Sequence, residues 1–224
     1  ADARRTIADP EQAEVPVKVL LDKAYAGDCR RRIGRTAGVP DPGTPLAGGT
    51  AYLCTADSDG MMVSLIESVF KNFGSGIVVP GTGIALQNRA LGFSLTPGHP
   101  NMLAPGKRPY HTIIPGFMTR NGTPVGPFGL MGGHMQPQGH AQMVMRMIDY
   151  HQNPQAASDA PRWIVNTDFS IGLETGFNAQ TVEALAQRGH KIAPAEAVNF
   201  AFGGAQLIWS LGEDGYVAGS DHRK

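Results

Sequence analysis

The chain has 224 residues, of which 17% are charged, and its 19 basic and 19 acidic side chains give a formal net charge of zero. This balance excludes the strongly basic class of nucleic-acid-binding proteins and gives no reason to expect a membrane surface as a partner. No apolar run approaches the roughly 18 residues of a membrane-spanning helix. Glycine supplies 29 residues, well above the usual ~7%, which predicts a chain rich in turns and short strands.

The two ends of the sequence indicate a piece of a longer precursor. The chain starts with ADARRTIADPEQ, without an initiator methionine or a signal peptide, and stops at GSDHRK directly after an apparent strand. Cys29 and Cys54 do not form a disulfide framework. This favours the cytoplasm, with the periplasm as the alternative because a signal peptide would lie upstream.

The part of the chain before residue 50 predicts one helix and a long loop. Residues 1–15 are polar and irregular, and VPVKVLLDKAYAGDCRRRIG then places apolar side chains at helical spacing between Pro16 and Gly34. Residues 35–49 are rich in proline and glycine, which is typical of a loop or linker.

A hairpin follows. The strand-like stretches TAYLCTAD and MMVSLIES flank the turn SDG, with Gly60 in the left-handed position. This turn pairs Asp57 with Met61. Counting back in antiparallel register places Thr50 opposite Ser68 on one face, with Cβ atoms about 5 Å apart.

The remainder of the chain predicts loops, strands and helices in blocks. Residues 69–110 read as long loops with one short strand near Ile84–Gln87, and TIIPGFMTRNGTPVGPFGLM reads as a hairpin around an Asn-Gly turn. Helices are predicted in QPQGHAQMVMRMIDYHQ, in NPQAASDA and in NAQTVEALAQRGH, and GAQLIWSLGEDGYVAG closes the chain as a hairpin. This order favours an α+β fold with helices layered on antiparallel sheet.

Thr50 directly follows a glycine pair at the head of the first predicted strand. A threonine hydroxyl becomes a nucleophile when a base takes its proton, and an N-terminal threonine carries that base as its own α-amine, with a pKa near ~8. Cleavage of the Gly49–Thr50 bond would expose this amine, and glycine at 49 permits the backbone conformation that lets the hydroxyl attack the preceding carbonyl. The alternative is an ordinary loop followed by a strand.

A second glycine pair, Gly132–Gly133, stands between a predicted strand and a predicted helix. Its backbone amides could hold an oxyanion, although a plain strand-to-helix turn explains the same pattern. His134 and His140 match neither the spacing of a helical zinc pair nor a finger pattern, and no cysteine or carboxylate completes a site. The sequence therefore predicts no metal and no cofactor.

Several stretches together resemble the gamma-glutamyltransferase family of N-terminal nucleophile hydrolases. In chain order they read GGTAYLCTADSDGMMVSLIES, FGSGIVVPGTGIALQNRALGF, PGHPNMLAPGKRPYHTIIP, MGGHMQPQGHAQM, DAPRW and GSDHRK. The resemblance implies an αββα four-layer sandwich, of which this chain supplies only a part. It also implies that residues 1–49 are the tail of a large subunit with the linker up to a self-cleavage site, and that residues 50–224 are a small catalytic subunit, truncated at its C-terminus.

The same resemblance assigns roles to single residues. Thr50 would be the nucleophile, with its own amine as the base, and Ser68 would hydrogen-bond the nucleophile. Gly132 and Gly133 fall on the oxyanion hole. The large-subunit segment of the same precursor would be a partner, and the resemblance leaves an oligomer open.

The departures from the family pattern concern substrate binding. Members that bind the glutamyl α-amine use an Asn, a Gln or Glu, and an Asp, where this chain has Phe70, Arg89 and Gly92. The serine pair that helps to hold the α-carboxylate is replaced by His111 and Thr112. A fixed cation at Arg89 would repel an ammonium group, so an anionic acyl group fits better.

The leading hypothesis is therefore an enzyme that hydrolyses small monoamides of dicarboxylic acids through an acyl-threonine intermediate, with Arg89 gripping the far carboxylate. It resembles the amidase branch of the family, which includes cephalosporin-acylase-like proteins and oxamate amidohydrolase. Arg89 is expected to share one pocket with Thr50 and Gly132–Gly133, the alternative being a surface arginine paired with an acid. True gamma-glutamyl hydrolysis or transfer is the second enzymatic hypothesis, and an uncleaved, inactive binding or structural module is the alternative of another class.

Overall fold

The computed structural model describes residues 6–37, 49–71, 73–166, 168–193 and 200–223. Its strands are β1 Gly49–Ala56, β2 Met62–Phe70, β3 Gly116–Arg120, β4 Thr123–Met131, β5 Trp163–Val165, β6 Ile171–Leu173, β7 Gly204–Ser210 and β8 Tyr216–Ser220. Its α-helices are α1 Val17–Leu20, α2 Lys23–Arg31, α3 Met135–Ile148, α4 Pro154–Asp159 and α5 Ala179–Gln187. Short 3-10 helices cover Arg89–Gly92, Phe200–Phe202 and Gly212–Asp214.

Strands β1 and β2 form the predicted hairpin in the predicted register. The Asp57 amide donates to the Met61 carbonyl at 3.0 Å, and the Met61 amide donates to the Asp57 carboxylate at 2.9 Å. Gly60 has a φ of 84°, which glycine adopts without the Cβ clash of other residues. The turn fixes the ladder behind it, and Thr50 lies opposite Ser68.

The described strands and helices form three layers. The β1–β2 pair packs on a four-stranded antiparallel sheet with the strand order β3-β4-β7-β8, and helices α3 and α4 cover the other face of that sheet. The core lies between this sheet and the helices. Its buried members are Leu130, Met135, Met143, Met147, Ala157, Ala205 and Leu207.

This architecture confirms the α+β class, and its two stacked sheets with one helical layer match three of the four layers of the predicted sandwich. The outer face of β1–β2 exposes Leu53, Val63 and Leu65. Within the described ranges, no helix combines the length and the apolar character that crossing a membrane requires.

The predicted helix ends are confirmed where a capping residue sets them. The Asn153 side chain accepts a hydrogen bond from the Ala156 amide at 2.8 Å and begins α4 with Pro154 in its first turn. Asn178 caps α5 in the same way, and Gly189 follows that helix with a φ of 91°.

The single helix predicted between Pro16 and Gly34 is wrong, because the structure has two short helices there. The Asp22 carboxylate accepts hydrogen bonds from the amides of Ala24 and Tyr25 at 2.7 and 3.0 Å, so it caps a new helix and ends the previous one. Most of the linker predicted at 35–49 lies outside the described residues.

The strand predicted near Ile84–Gln87 is also wrong. That segment belongs to a glycine-rich loop in which one isolated bridge joins Val78 to Ala85. The paired strands β5 and β6 were not predicted, because three residues each are too few to show a clear alternation.

Candidate active site

Thr50 and Ser68 meet at the open end of the β1–β2 hairpin. The Thr50 Oγ1 and Ser68 Oγ atoms are 3.0 Å apart in a hydrogen bond, and the Phe70 amide donates to Ser68 Oγ at 3.0 Å. A hydroxyl that accepts from an amide becomes a stronger donor, because hydrogen bonds in a chain polarise one another. Ser68 can therefore donate to Thr50 Oγ1, an arrangement that would stabilise negative charge on that oxygen.

The ladder is irregular at the bond before Thr50. Gly49 pairs with Phe70 while Thr50 pairs with Ser68, so Val69 is an extra residue on β2. Phe70 has a φ of 76°, which is uncommon for a bulky side chain. Gly49 and Thr50 are consecutive residues of β1, so this geometry is that of the uncleaved chain, in which Thr50 has no free amine.

The stacking of the two sheets places Thr50 at the same edge as the Gly132–Gly133 pair. The ring of Tyr52 lies over Gly129, where an added Cβ would come within 2.5 Å of the ring. At the other end of the hairpin, the Tyr216 hydroxyl donates to the Asp57 carbonyl at 3.0 Å. Strand β1 therefore runs antiparallel to β4 across the interface, and the start of β1 lies towards the end of β4.

Gly132 and Gly133 form the turn between β4 and α3, with φ values of 138° and 58°. A Cβ at Gly132 would approach the Gly203 Cα to 3.1 Å. The carbonyls of Gly132 and Gly133 accept the first amides of α3, from Met135 at 3.0 Å and Gln136 at 3.1 Å. The groups of this turn that could hold an oxyanion are therefore the two glycine amides.

Arg89 is a buried cation, with 8% of its surface exposed. Its guanidinium carbon lies 4.9 Å from the centre of the Phe70 ring, in cation–π geometry. No ion pair joins it to a carboxylate in the part of the chain that the structure describes, and burial lowers its pKa. The alternative of a surface arginine paired with an acid is therefore wrong.

A cleft of about 290 Å³ opens beside Phe70. Its described lining contains no aspartate or glutamate, so nothing there offers a negative charge to an ammonium group. The lining residues are Phe70, Leu91, Gly92, Phe93, Ser94, His99, Asn101, Tyr110, His111, Thr112 and His134.

The structure gathers some of the predicted site residues around this cleft and separates others from it. Phe70, His111 and Thr112 line it, whereas Arg89 lies against the Phe70 ring and is not among the lining residues. Thr50 and the Gly132–Gly133 pair are not among them either. That Arg89 shares one pocket with Thr50 and Gly132–Gly133 stays a prediction; among the described residues the guanidinium lies against the Phe70 ring.

His111 lies close enough to Arg89 for the two groups to interact electrostatically. Burial lowers the pKa of His111, and the Arg89 charge lowers it further. The Ile113 amide donates to Nδ1 of His111 at 3.2 Å, so the neutral ring carries its proton on Nε2. His111 is therefore a neutral donor on the cleft wall near neutral pH.

Sequence reasoning missed Asn101, Tyr110 and His134 as cleft residues. The rings of Tyr110 and His134 stack with centroids 6.5 Å apart, and His134 directly follows the glycine pair. His140, by contrast, accepts from the Leu130 amide at 3.0 Å, and burial lowers its pKa to about 4. No three potential metal ligands of the described residues come together.

A buried ionic network holds the backbone segment that packs against the Gly132–Gly133 turn. Arg162 donates through Nη1 to the carbonyls of Phe202 and Gly203 at 3.1 and 2.9 Å, and Gly203 is the residue against which Gly132 packs. Arg162 also pairs with Asp221, whose carboxylate accepts from the Ala205 amide at 2.8 Å. The network therefore fixes the backbone that lies next to Gly132.

This architecture, with a hydroxyl pair at the end of the first hairpin beside a glycine turn, is that of the N-terminal nucleophile hydrolases. The family model described as gamma-glutamyltranspeptidase matches residues 1–224, and the chain belongs to that family.

Curated relatives and a solved structure agree with this assignment. The chain is 35% identical over 223 residues to the glutathione hydrolase-like YwrD proenzyme of Bacillus subtilis, covering 97% of this chain and 42% of that protein. It is 34% identical over 207 residues to the oxamate amidohydrolase proenzyme of Klebsiella pneumoniae, covering 90% of this chain and 39% of the relative. The crystal structure of cephalosporin acylase from Bacillus halodurans matches with a TM-score of 0.89 and 50% identity, over 100% of this chain and 41% of that one. The chain thus spans about two fifths of the length of these relatives.

Proposed function

We propose that this chain carries the catalytic part of a self-processing amide hydrolase with Thr50 as its nucleophile. Its substrate would be a small amide whose acyl group bears a carboxylate and no α-amine. The remainder of a longer precursor would be its partner and would complete the pocket. The 3.0 Å hydrogen bond between Thr50 Oγ1 and Ser68 Oγ carries the assignment of the nucleophile.

Self-cleavage would use the same hydroxyl as substrate hydrolysis. Thr50 Oγ1 attacks the Gly49 carbonyl, the Gly49–Thr50 amide bond breaks, and the Gly49 acyl group moves from nitrogen to oxygen as an ester. The hydroxyl proton ends on the nitrogen, so this shift already frees the Thr50 amine. Water then hydrolyses the ester and releases the Gly49 carboxylate and the Thr50 hydroxyl. The extra residue Val69 opposite this bond supports the proposal, because bulges are frequent next to active sites.

The amide hydrolysis that follows would proceed in two steps, the acylation and the deacylation of Thr50. The Thr50 amine takes the proton of its own hydroxyl, Oγ1 attacks the substrate carbonyl, and the leaving amine departs with a proton while an ester forms on Thr50. Water then hydrolyses the ester. The amides of Gly132 and Gly133 would hold the oxyanion of each tetrahedral intermediate, and a donor of this kind typically contributes about 3–4 kcal/mol.

The charge distribution around the cleft supports an anionic acyl group. Arg89 is a buried cation without a carboxylate partner among the described residues, and the lining residues of the cleft include no acid. A substrate carboxylate that displaces the Phe70 ring could pair with the guanidinium, and His111 could donate to it through Nε2. A gamma-glutamyl group would bring an ammonium, for which the described lining of the cleft offers no acid.

The test is the fate of the Gly49–Thr50 bond in the full-length protein. Thr50→Ala should remain one uncut chain without activity, whereas the wild type should give a fragment that begins with Thr50, as measured by intact mass. Thr55→Ala is the matched control, because Thr55 lies on the exposed face of the same strand, and it should cleave normally. Cleavage and turnover in Thr50→Ala would overturn the proposal.

A further inference from the structure

Asn101 is a buried polar residue that joins two segments of the cleft wall. It is 4% exposed. Its Nδ2 donates to the Gly92 carbonyl at 2.6 Å, and its Oδ1 accepts from the Tyr110 amide at 2.9 Å. The amide orientation is fixed, because one end faces a carbonyl and the other faces an N–H group.

The two segments also touch directly. A Cβ built on Gly92 would lie 2.8 Å from the Tyr110 carbonyl oxygen, a distance that real Cβ atoms do not show. Position 92 therefore admits only glycine while this wall stays closed. The backbone fills the space that a longer side chain at 92 would need.

The joined segments carry the groups that would face the substrate. Gly92 ends the 3-10 helix that Arg89 begins, and Tyr110 immediately precedes His111 and Thr112 in the cleft wall. The Asn101 backbone is tied as well, because its amide donates to His99 Nδ1 at 3.0 Å and its carbonyl accepts from the Ser94 amide at 2.9 Å. The backbone of Asn101 is thus tied to Ser94, two residues after Gly92, and to His99, while its side chain bridges to Tyr110.

We propose that Asn101 is a positioning residue that sets the separation of Arg89 and His111, and hence the recognition of the acyl group. This inference rests on the proposed anionic acyl substrate, but the closure of the wall by Asn101 can be measured on its own. Gly92 is the complementary element, because a side chain there would force apart the contact that Asn101 holds together.

The first measurement is hydrogen exchange in the full-length, processed protein. Asn101→Ala removes the acceptor of the Tyr110 amide, so that amide should exchange at least about tenfold faster. Asn166→Ala is the matched control, since Asn166 Nδ2 donates to Ser170 Oγ at 3.0 Å in a turn that does not line the cleft. That variant should leave Tyr110 exchange unchanged.

The second measurement compares the glutaryl and valeryl amides of para-nitroaniline, which differ by one carboxylate. Asn101→Ala should lower kcat/KM for the glutaryl amide roughly tenfold, through KM, because both side-chain hydrogen bonds that join the wall are lost. The valeryl amide and the yield of self-cleavage should change less than about twofold. Gly92→Ala should act in the same direction, which covers the case that Asn101→Ala fails to fold.

The outcomes separate this inference from the proposed function. Unchanged Tyr110 exchange in Asn101→Ala, or equal losses on both amides, would overturn the role of Asn101. A wild type that cleaves itself but does not prefer the glutaryl amide would overturn the proposed substrate class, while the exchange result would still decide whether Asn101 holds the wall.

Discussion

Two buried arginines in this molecule have opposite surroundings. Arg162 is 1% exposed, and its Nη groups bind an aspartate and three backbone carbonyls. Arg89 is 8% exposed and has no carboxylate partner among the described residues. The partners of Arg162 are all protein groups, which indicates a structural role. The lack of an acid beside Arg89 among the described residues is the observation on which its proposed binding of a ligand anion rests.

The network around Arg162 joins two arginines and two carboxylates. Asp221 forms an ion pair with Arg162 and a second ion pair, at 3.0 Å, with Arg223. Arg223 also donates two hydrogen bonds to the Glu174 carboxylate, each 2.6 Å long. Burial raises the pKa of Asp221, but the Arg162 charge and two backbone amides outweigh it and hold the pKa below its usual value. The charges therefore stabilise one another inside the fold.

The largest expected effect concerns Arg162. Arg162→Met keeps a long side chain but removes one of the two arginines that pair with the Asp221 carboxylate, and it takes a donor from three backbone carbonyls. We expect the free energy of unfolding of the full-length protein to fall by about 3–5 kcal/mol, as for other broken buried ion pairs. Urea denaturation measures this. A change below about 1 kcal/mol would show that the network does not support the fold.

The same substitution at Arg89 should have a much smaller effect on stability. Arg89→Met removes a buried charge that has no acid partner among the described residues, and the cation–π contact with the Phe70 ring is lost. Because desolvation and the cation–π contact oppose each other, the free energy of unfolding should stay within about 1 kcal/mol of the wild type or rise. The same urea titration tests it, and a loss above about 2 kcal/mol would mean that Arg89 is structural.

The part of the site that could be predicted from sequence depends on local geometry. The turn ending at Gly60 fixes the register of the hairpin, so the meeting of Thr50 and Ser68 followed from counting. The caps at Asn153 and Asn178 fixed two helices in the same way. Each of these turns and helix caps is determined by a few consecutive residues, so the local sequence is enough to predict it.

The part that could not be predicted depends on contacts between distant segments. Arg162 and Asp221 are 59 residues apart, and no periodicity indicates their pairing. The position of Phe70 over Arg89 depends on a glycine-rich loop with no regular alternation. No sequence pattern indicated the role of Asn101 either, because the loop segments that it joins meet only in the folded chain.

The proposed role of Arg89 is to bind the carboxylate of the substrate's acyl group. The most direct test is kcat/KM of the full-length, processed enzyme on the glutaryl, valeryl and gamma-glutamyl amides of para-nitroaniline. Arg89→Gln should lower the value for the glutaryl amide by roughly 10–100-fold, because a charge-assisted pair is lost, and should spare the valeryl amide. The matched control is Arg120→Gln, an exposed arginine at the end of β3, which should change neither. Equal losses on the glutaryl and valeryl amides, or a wild type that prefers the gamma-glutamyl amide, would contradict the account.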